Sequence, residues 1–228
     1  MALEQTRGAL IYGLMEYPFL VLYPVNPLSL ARYREAFKPS RAKDDPSDAE
    51  FLCEMLAQHR DRLQPWRPDD EQTRLLGLLN EGRRNTVDMR TKLVERLIAT
   101  LKKYFPQALE LIGKEWETPI ASDFLLRWPD LPSLQRAKPH TVRSFYFGHN
   151  CRNTETIEHR LEVIKQANPL TTDGAIVTSC TMTVKLLATQ IRHLNKAVVD
   201  YEKQIAKVFA DHPDADIFDS FPGAGKTI

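Results

Sequence analysis

The feature that most restricts what this chain can fold into is a run of apolar residues near its carboxy-terminal end. Val177, Cys180, Val184, Leu187, Ile191, Leu194, Val198, Tyr201, Ile205 and Val208 follow one another at steps of three and four without a miss. That spacing puts all of them on one stripe of an α-helix, and stripes sustained this long are the seams of coiled coils. Cys180 and Tyr201 fit such a seam least well. A helix of this length cannot bury its stripe alone. Its partner is a second tract of the same chain, another subunit, or both, and spacing does not choose between them. Residues 71–104 are the candidate within the chain, with Leu75, Leu79, Met89, Leu93, Leu97 and Leu101 offering a broad apolar face before Pro106 closes the tract.

The first 60 residues follow a different pattern. Residues 3–16 read as a short helix carrying Leu3, Leu10, Ile11, Leu14 and Met15. The dense apolar run FLVLYPVNP at 19–27 reads as a buried strand ended by Pro24 and Asn26-Pro27, and 28–37 as another short helix. In KPSRAKDDPSDAEFLCEML, Asp45, Pro46 and Asp48 take the N-cap, N1 and N3 places of a helix whose apolar face begins at Phe51, Leu52 and Met55. This order of elements is an α/β pattern. A lone buried strand so early implies sheet neighbours outside these residues, so the sequence reads as cut at its start. Between the two long helical tracts, residues 116–151 are rich in proline and aromatics and read as a compact helical insert.

Composition closes off several function classes. The chain has 228 residues, 43% of them apolar and 27% charged, which suits one or two soluble domains. A net charge of +1 carries no global signal for nucleic acid, so any such surface is local. Cys53, Cys151 and Cys180 form no CxxC pair, which fits a reducing cytoplasm and neither a zinc knuckle nor a disulfide framework. No apolar run approaches the roughly 20 residues of a membrane span, and MALEQTRGAL lacks a secretory pattern. The six histidines show no metal-ligand spacing, and His212 reads as exposed in a polar turn. The terminal PGAGKTI looks like a phosphate-binding loop but carries Ser220 where the Walker motif needs its first glycine, which excludes an ATPase on that ground.

Two groups of residues could carry chemistry. Glu4, Asp45 and Asp48 are the carboxylates considered for a metal site. Asp45 and Asp48 lie three apart on a first helical turn, where the dipole favours negative charge, and nuclease sites use such oxygen ligands to hold hard cations. The plainer reading of the two aspartates is a helix cap plus solvated charge, and one residue can do both jobs. Arg83, Arg84, Arg90, Lys92, Arg96, Lys102 and Lys103 outnumber Asp88 and Glu95 in the same stretch. They form either a face for phosphate backbone or a solvated helix surface.

The pieces LEQTRGALIYGL, FLVLYPVNP and SRAKDDPSDAEFL, in this order, closely resemble the amino-terminal domain of IS110-family transposases (IS110/IS116/IS902/IS1111 type). FLLRWPDLPSLQRA, the heptad helix with HPDADIF and the terminal FPGAG extend the likeness over essentially the whole chain. The resemblance implies an α/β fold: a partial RNase H-like (RuvC-like) domain over 1–70, then a mainly helical region with a long coiled coil over 71–215. Residues 216–228 would begin a truncated carboxy-terminal transposase domain. It implies a DEDD acidic set binding divalent metal, Mg2+ in the complete enzyme, with Glu4, Asp45 and Asp48 as three members. The first aspartate would sit on a strand before Glu4, and the serine nucleophile beyond Ile228. Implied partners are the element ends and target DNA, in some members a structured guide RNA, and further copies of the chain through the coiled coil. The implied location is cytoplasmic, without a membrane. With an acidic ligand and the nucleophile missing, the chain is expected to be inactive alone. The alternative is a non-catalytic coiled-coil assembly or nucleic-acid-binding remnant.

Overall fold

Two strands near the amino terminus pair in parallel: β1 (Ala2–Leu3) and β2 (Tyr23–Pro24), with Ala2 opposite Tyr23 and Leu3 opposite Pro24. Parallel strands need a crossover, and here it contains α1 (Ala9–Leu14). The ladder accommodates Pro24, which has no N–H, because its neighbours donate instead. Tyr23 N–H reaches the Met1 carbonyl at 2.8 Å and Val25 N–H reaches that of Leu3 at 2.7 Å. Beyond β2, Asn26 accepts the Leu28 N–H at 2.8 Å through its side chain and opens α2 (Pro27–Phe37). Next comes α3 (Asp45–His59), followed by a 3-10 turn at Arg60–Arg62. The computed structural model describes residues 1–5, 8–37, 45–114 and 116–221. The chain divides into two compact units, Met1–Asp70 and Glu71–Ile228.

Successive strand side chains point to opposite faces, and the first unit uses both. Leu3 and Leu22 are buried with Ile11 of α1, with Trp66 packed alongside. On the other face Ala2 and Val25 meet Leu30 of α2 and Met55 of α3. Several sequence expectations change here. Leu3 belongs to a strand rather than to the first helix, and the strand expected over 19–27 contracts to two residues. Phe19 is 77% exposed and Val21 47%, so the run is less a buried strand than an irregular segment with its buried side chains at Leu22, Tyr23 and Val25. The strand expected to be alone has a partner in β1. Asp45 is the first helical residue rather than the cap, a one-residue difference at a helix end.

The second unit is built on two long antiparallel helices, α4 (Glu71–Leu101) and α10 (Gly174–Ala210). Every seam residue from Val177 to Val208 is buried or half-buried, with Val184, Leu187 and Ile191 almost wholly so. The stripe is covered within the chain, by α4 and by α6 (Pro119–Arg127). One side of α4 supplies Val94, Leu97 and Leu101 at its carboxy-terminal end. Its middle is polar, which is why the expected apolar face strayed: Leu75 and Met89 are exposed, and the contact side passes instead through Gly82, Arg83 and Arg90. Opposite Gly82 lies the Tyr201 ring, and a Cβ at position 82 would stand 2.8 Å from it. An aromatic ring therefore fits the seam because the facing helix has no side chain there. His212 also departs from expectation. It is 7% exposed, and its Nε2 lies 2.9 Å from the Thr73 hydroxyl.

By length and composition α10 also passes for a membrane span, with an 18-residue window at mean hydropathy 1.2, although no run was expected to come near one. Core helices of soluble proteins pass the same test, and its apolar stripe packs on α4 and α6.

Between α4 and α10, prolines that look like turn formers begin helices instead. Pro119 starts α6, Pro132 is the second residue of α7 (Leu131–Gln135), and Pro139 starts α8 (Pro139–Gly148). Asp130 and Ser133 close a capping box on α7. With α5 (Gln107–Ile112) and α9 (Thr154–Gln166), these helices surround Phe105, Phe124, Leu125, Leu134 and Tyr146. Two buried tyrosines have backbone acceptors: Tyr104 donates to the Pro129 carbonyl at 2.5 Å and Tyr146 to that of Leu111 at 2.9 Å. Burial raises both phenols above their ordinary range. A short α11 (Ala215–Asp219) follows α10, and the PGAG turn lies outside the described residues.

The Gly82–Tyr201 contact makes a testable exception to helix propensity. Alanine ordinarily stabilises a helix interior relative to glycine by about 1 kcal/mol, yet overpacking costs about 1–3 kcal/mol. Gly82→Ala should lower the thermal midpoint, and adding Tyr201→Ala should remove the penalty of the alanine. A Gly82→Ala midpoint at or above wild type would show that the ring simply moves aside.

Candidate functional site

Of the three carboxylates singled out in the sequence, Asp48 has the most defined surroundings. It lies in the first turn of α3 and is 6% exposed. Its Oδ1 accepts Arg34 Nε at 2.6 Å and lies 2.5 Å from Arg34 Nη2. Arg34 comes from the last turn of α2 and is itself 8% exposed. The pair joins α2 to α3 beside the Val25, Leu30 and Met55 cluster. Asp45, one turn earlier, is exposed, and Glu4 is half-buried just after β1.

Arg34 was not found by sequence reasoning. A signal was present, because Arg34 falls four residues after Leu30 and so shares the core-facing side of a helix. A charge placed there needs a counter-charge.

Glu4, Asp45 and Asp48 do not converge. Among the described residues, no three of the histidine, cysteine, aspartate and glutamate side chains gather as a metal site. Divalent cations such as Mg2+ require several converging oxygens, whereas the one buried carboxylate is already neutralised by a guanidinium. As arranged, these residues do not fit a metal ion, and no chemical step is derived through one.

The basic stretch of α4 separates into two sets. Arg83 donates to Glu202 Oε1 through Nε at 3.1 Å and Nη2 at 2.7 Å. Arg90 donates to Asn195 Oδ1 at 3.1 Å and Glu117 Oε2 at 2.6 Å. Both arginines are half-buried in packing and belong to the fold. Arg84, Lys92, Arg96, Lys102 and Lys103 are exposed, as are Asp88 and Glu95. Lys92 and Arg96 are one turn apart on one side of the helix. The local cationic surplus is thus smaller than the sequence suggests, but it lies on the solvent side.

The Arg34–Asp48 pair can be tested without reference to function. Removing either partner strands a buried charge, at a cost of about 3–5 kcal/mol. Arg34→Gln and Asp48→Asn should each speed amide exchange in α2 and α3, and the double variant should lose less than the two singles together. Additive losses would show that the two side chains are not coupled.

Residues 1–106 match the family described as a transposase under the name DEDD_Tnp_IS110. A Streptomyces coelicolor protein named "Mini-circle putative transposase for IS117" is 25% identical over all of this chain, which covers 56% of that relative. A Sinorhizobium fredii protein named "Putative transposase y4uE" is 30% identical across 64% of this chain and 42% of its own length. The chain therefore spans about half the length of these curated relatives. No solved structure matches it. The family match contains Glu4, Asp45, Asp48 and all of α4, and over its first 106 residues the chain is similar to the IS110 family of DEDD transposases.

Proposed function

We propose that this chain is part of a DNA-transposing enzyme of the IS110 family, with Glu4, Asp45 and Asp48 contributing to its acidic site. The observation that carries the reading is the family match over residues 1–106, which contains all three carboxylates. In this reading Met1–Asp70 is the family's RuvC-like portion, the α4–α10 pair is its coiled-coil element, and residues 216–228 lead into the next domain. The complete enzyme cuts and joins DNA at element ends and target with a divalent cation, Mg2+ by the resemblance, and a serine nucleophile. It works as a homo-oligomer, with a structured guide RNA in some members. The seam of α10 is an unsuitable assembly surface because it packs on α4 and α6. The 228-residue chain does not transpose DNA by itself, since its carboxylates do not gather among the described residues. Supplying it alone in a plasmid transposition assay should yield no mobilised element, and any recovered insertion would overturn this point.

The same reading assigns DNA backbone contacts to the exposed cations Arg84, Lys92 and Arg96 of α4 and Lys102 and Lys103 in the turn just after it, and leaves Arg83 and Arg90 to packing. The span from Arg84 to the end of α4 at Leu101 is about 26 Å at helical rise, enough to follow several phosphates. Fluorescence anisotropy with duplex DNA should show salt-dependent binding. Lys92→Gln with Arg96→Gln should weaken binding at low salt and reduce the slope of log K against log salt by about 2. An unchanged slope would remove this face from the interface.

A further inference from the structure

The connection from α9 to α10 borders a pocket in the second unit. It holds about 240 Å³ between the turn after α4, the start of α7, residues 169–172 and the first turn of α10. Tyr104, Leu131, Pro132, Pro169 and Val177 make its walls mostly apolar. Side-chain amides hold the connection in place. Gln135 Nε2 donates to the Ile164 and Ala167 carbonyls at 3.0 and 2.8 Å, and Gln107 Nε2 to that of Asn168 at 2.8 Å. Tyr104 is fixed in turn by its bond to the Pro129 carbonyl. The pocket is therefore formed before anything enters it. It is a little smaller than the about 300–1,000 Å³ of most small-molecule sites, which leaves room for one flat ring system. Its polar groups are few. Asp130 accepts the Ser133 N–H at 2.7 Å on Oδ1, and Oδ2 has no hydrogen-bond partner among the described residues. Thr171 Oγ1 accepts the Asp173 N–H at 3.1 Å, and its own O–H makes no bond among the described residues.

Two exposed cations, Lys102 and Lys103, immediately precede Tyr104 in the chain. A ligand that suits all of these features is a flat ring with hydrogen-bond donors and acceptors on its edge, joined to an anion. A nucleobase on its phosphate backbone has that constitution. Sites for unpaired bases combine apolar contact with the ring, hydrogen bonds to its edge and cations along the backbone. An aliphatic or proline side chain of a protein would fill the walls and leave Asp130, Thr171 and the lysines without a role. We infer that this pocket receives one unpaired base of a DNA strand whose phosphates lie on Lys102 and Lys103. An N–H on the edge of the base donates to Asp130 Oδ2, and the Thr171 hydroxyl donates to a ring nitrogen or carbonyl. Asp173, which lies between two lining residues in the chain, does not compete, because its Oδ1 accepts the Ala175 and Ile176 N–H groups of α10. This inference rests on the assignment of DNA contacts to Lys102 and Lys103 and adds what the strand presents there. A base inside a duplex is unavailable, so the pocket distinguishes opened DNA from paired DNA.

The test is fluorescence anisotropy of the whole chain with two labelled duplexes, identical but for one bulged position. One bulge carries adenine and the other an abasic site, so the two share backbone and charge and only one presents a base. Wild type should bind the adenine bulge about tenfold more tightly. Gly174 and Thr172 line the pocket, and a Cβ at Gly174 would meet nothing within 4 Å, so a larger side chain has room there. Gly174→Phe and Thr172→Phe should each bring the adenine bulge down to the abasic affinity and leave the abasic duplex unchanged. Lys102→Gln with Lys103→Gln should weaken both duplexes. Equal affinity of wild type for the two bulges overturns the inference and leaves the DNA-contact reading intact, whereas no binding to either duplex overturns both. An adenine preference that survives both phenylalanines puts the base elsewhere and also overturns it. If the phenylalanine variants do not fold, amide exchange of the wild type decides. The adenine bulge must then slow exchange over residues 171–177 relative to the abasic one, and equal exchange overturns the inference.

Discussion

The second unit depends on the burial of one side of α10 against α4. Val184, Leu187, Ala188 and Ile191 enter the same core as Leu97, Leu101 and the short helices α5 to α9. Burying a Val, Leu or Ile side chain is worth about 1.5–3 kcal/mol, and a stripe of this length supplies the driving force that five- to thirteen-residue helices lack alone. The apolar stripe alone would tolerate sliding by whole heptads. Register comes from the polar and shape-matched contacts between the helices: Thr73 with His212, Gly82 with Tyr201, Arg83 with Glu202, and Arg90 with Asn195. From Thr73 to Arg90 the contacts advance along α4 while their partners run back from His212 to Asn195, as an antiparallel pair requires. Hydrophobic burial thus gives the pair its strength, and the four contacts give it one alignment.

The first unit solves a different problem, because two-residue strands contribute little on their own. Its sheet is held by what packs on its faces, α1 and Trp66 on one side, α2 and α3 on the other. Against this small core, the buried Arg34–Asp48 pair has unusual weight. Ion pairs of this kind contribute little net stability relative to apolar packing, but they penalise arrangements that separate the partners. Placing Asp48 in such a pair makes local geometry and local charge parts of the same design.

Much of this was legible in the sequence. The seam of α10 needed only its three-four spacing, and the start of α3 needed only the Asp-Pro pair before an apolar face. The family resemblance, carried by ordered motifs, agrees with the match over residues 1–106. What failed did so for identifiable reasons. The strand at 19–27 rests on the length of the apolar run and its β-branched and aromatic content, yet Phe19 and Val21 are exposed, and neither strand length nor pairing is encoded by such content. The face of α4 was read by following leucines, although glycine and arginine serve its contacts with α10. Arg83 and Arg90 looked like surface charge because their acceptors on α10, Glu202 and Asn195, lie more than a hundred residues away. Arg34 escaped for a similar reason, its partner lying across a loop on the next helix.

The fixed alignment of α4 and α10 has a mechanical side. A 37-residue helix is about 55 Å long. Its pairing is pinned from Thr73–His212 at one end to the Leu97–Leu101 core at the other. Sliding by one turn would break the pinning contacts together, so shear along the pair meets no easy intermediate position. The pair consequently behaves as a strut of set length, able to carry a displacement from one end to the other without absorbing it along the way.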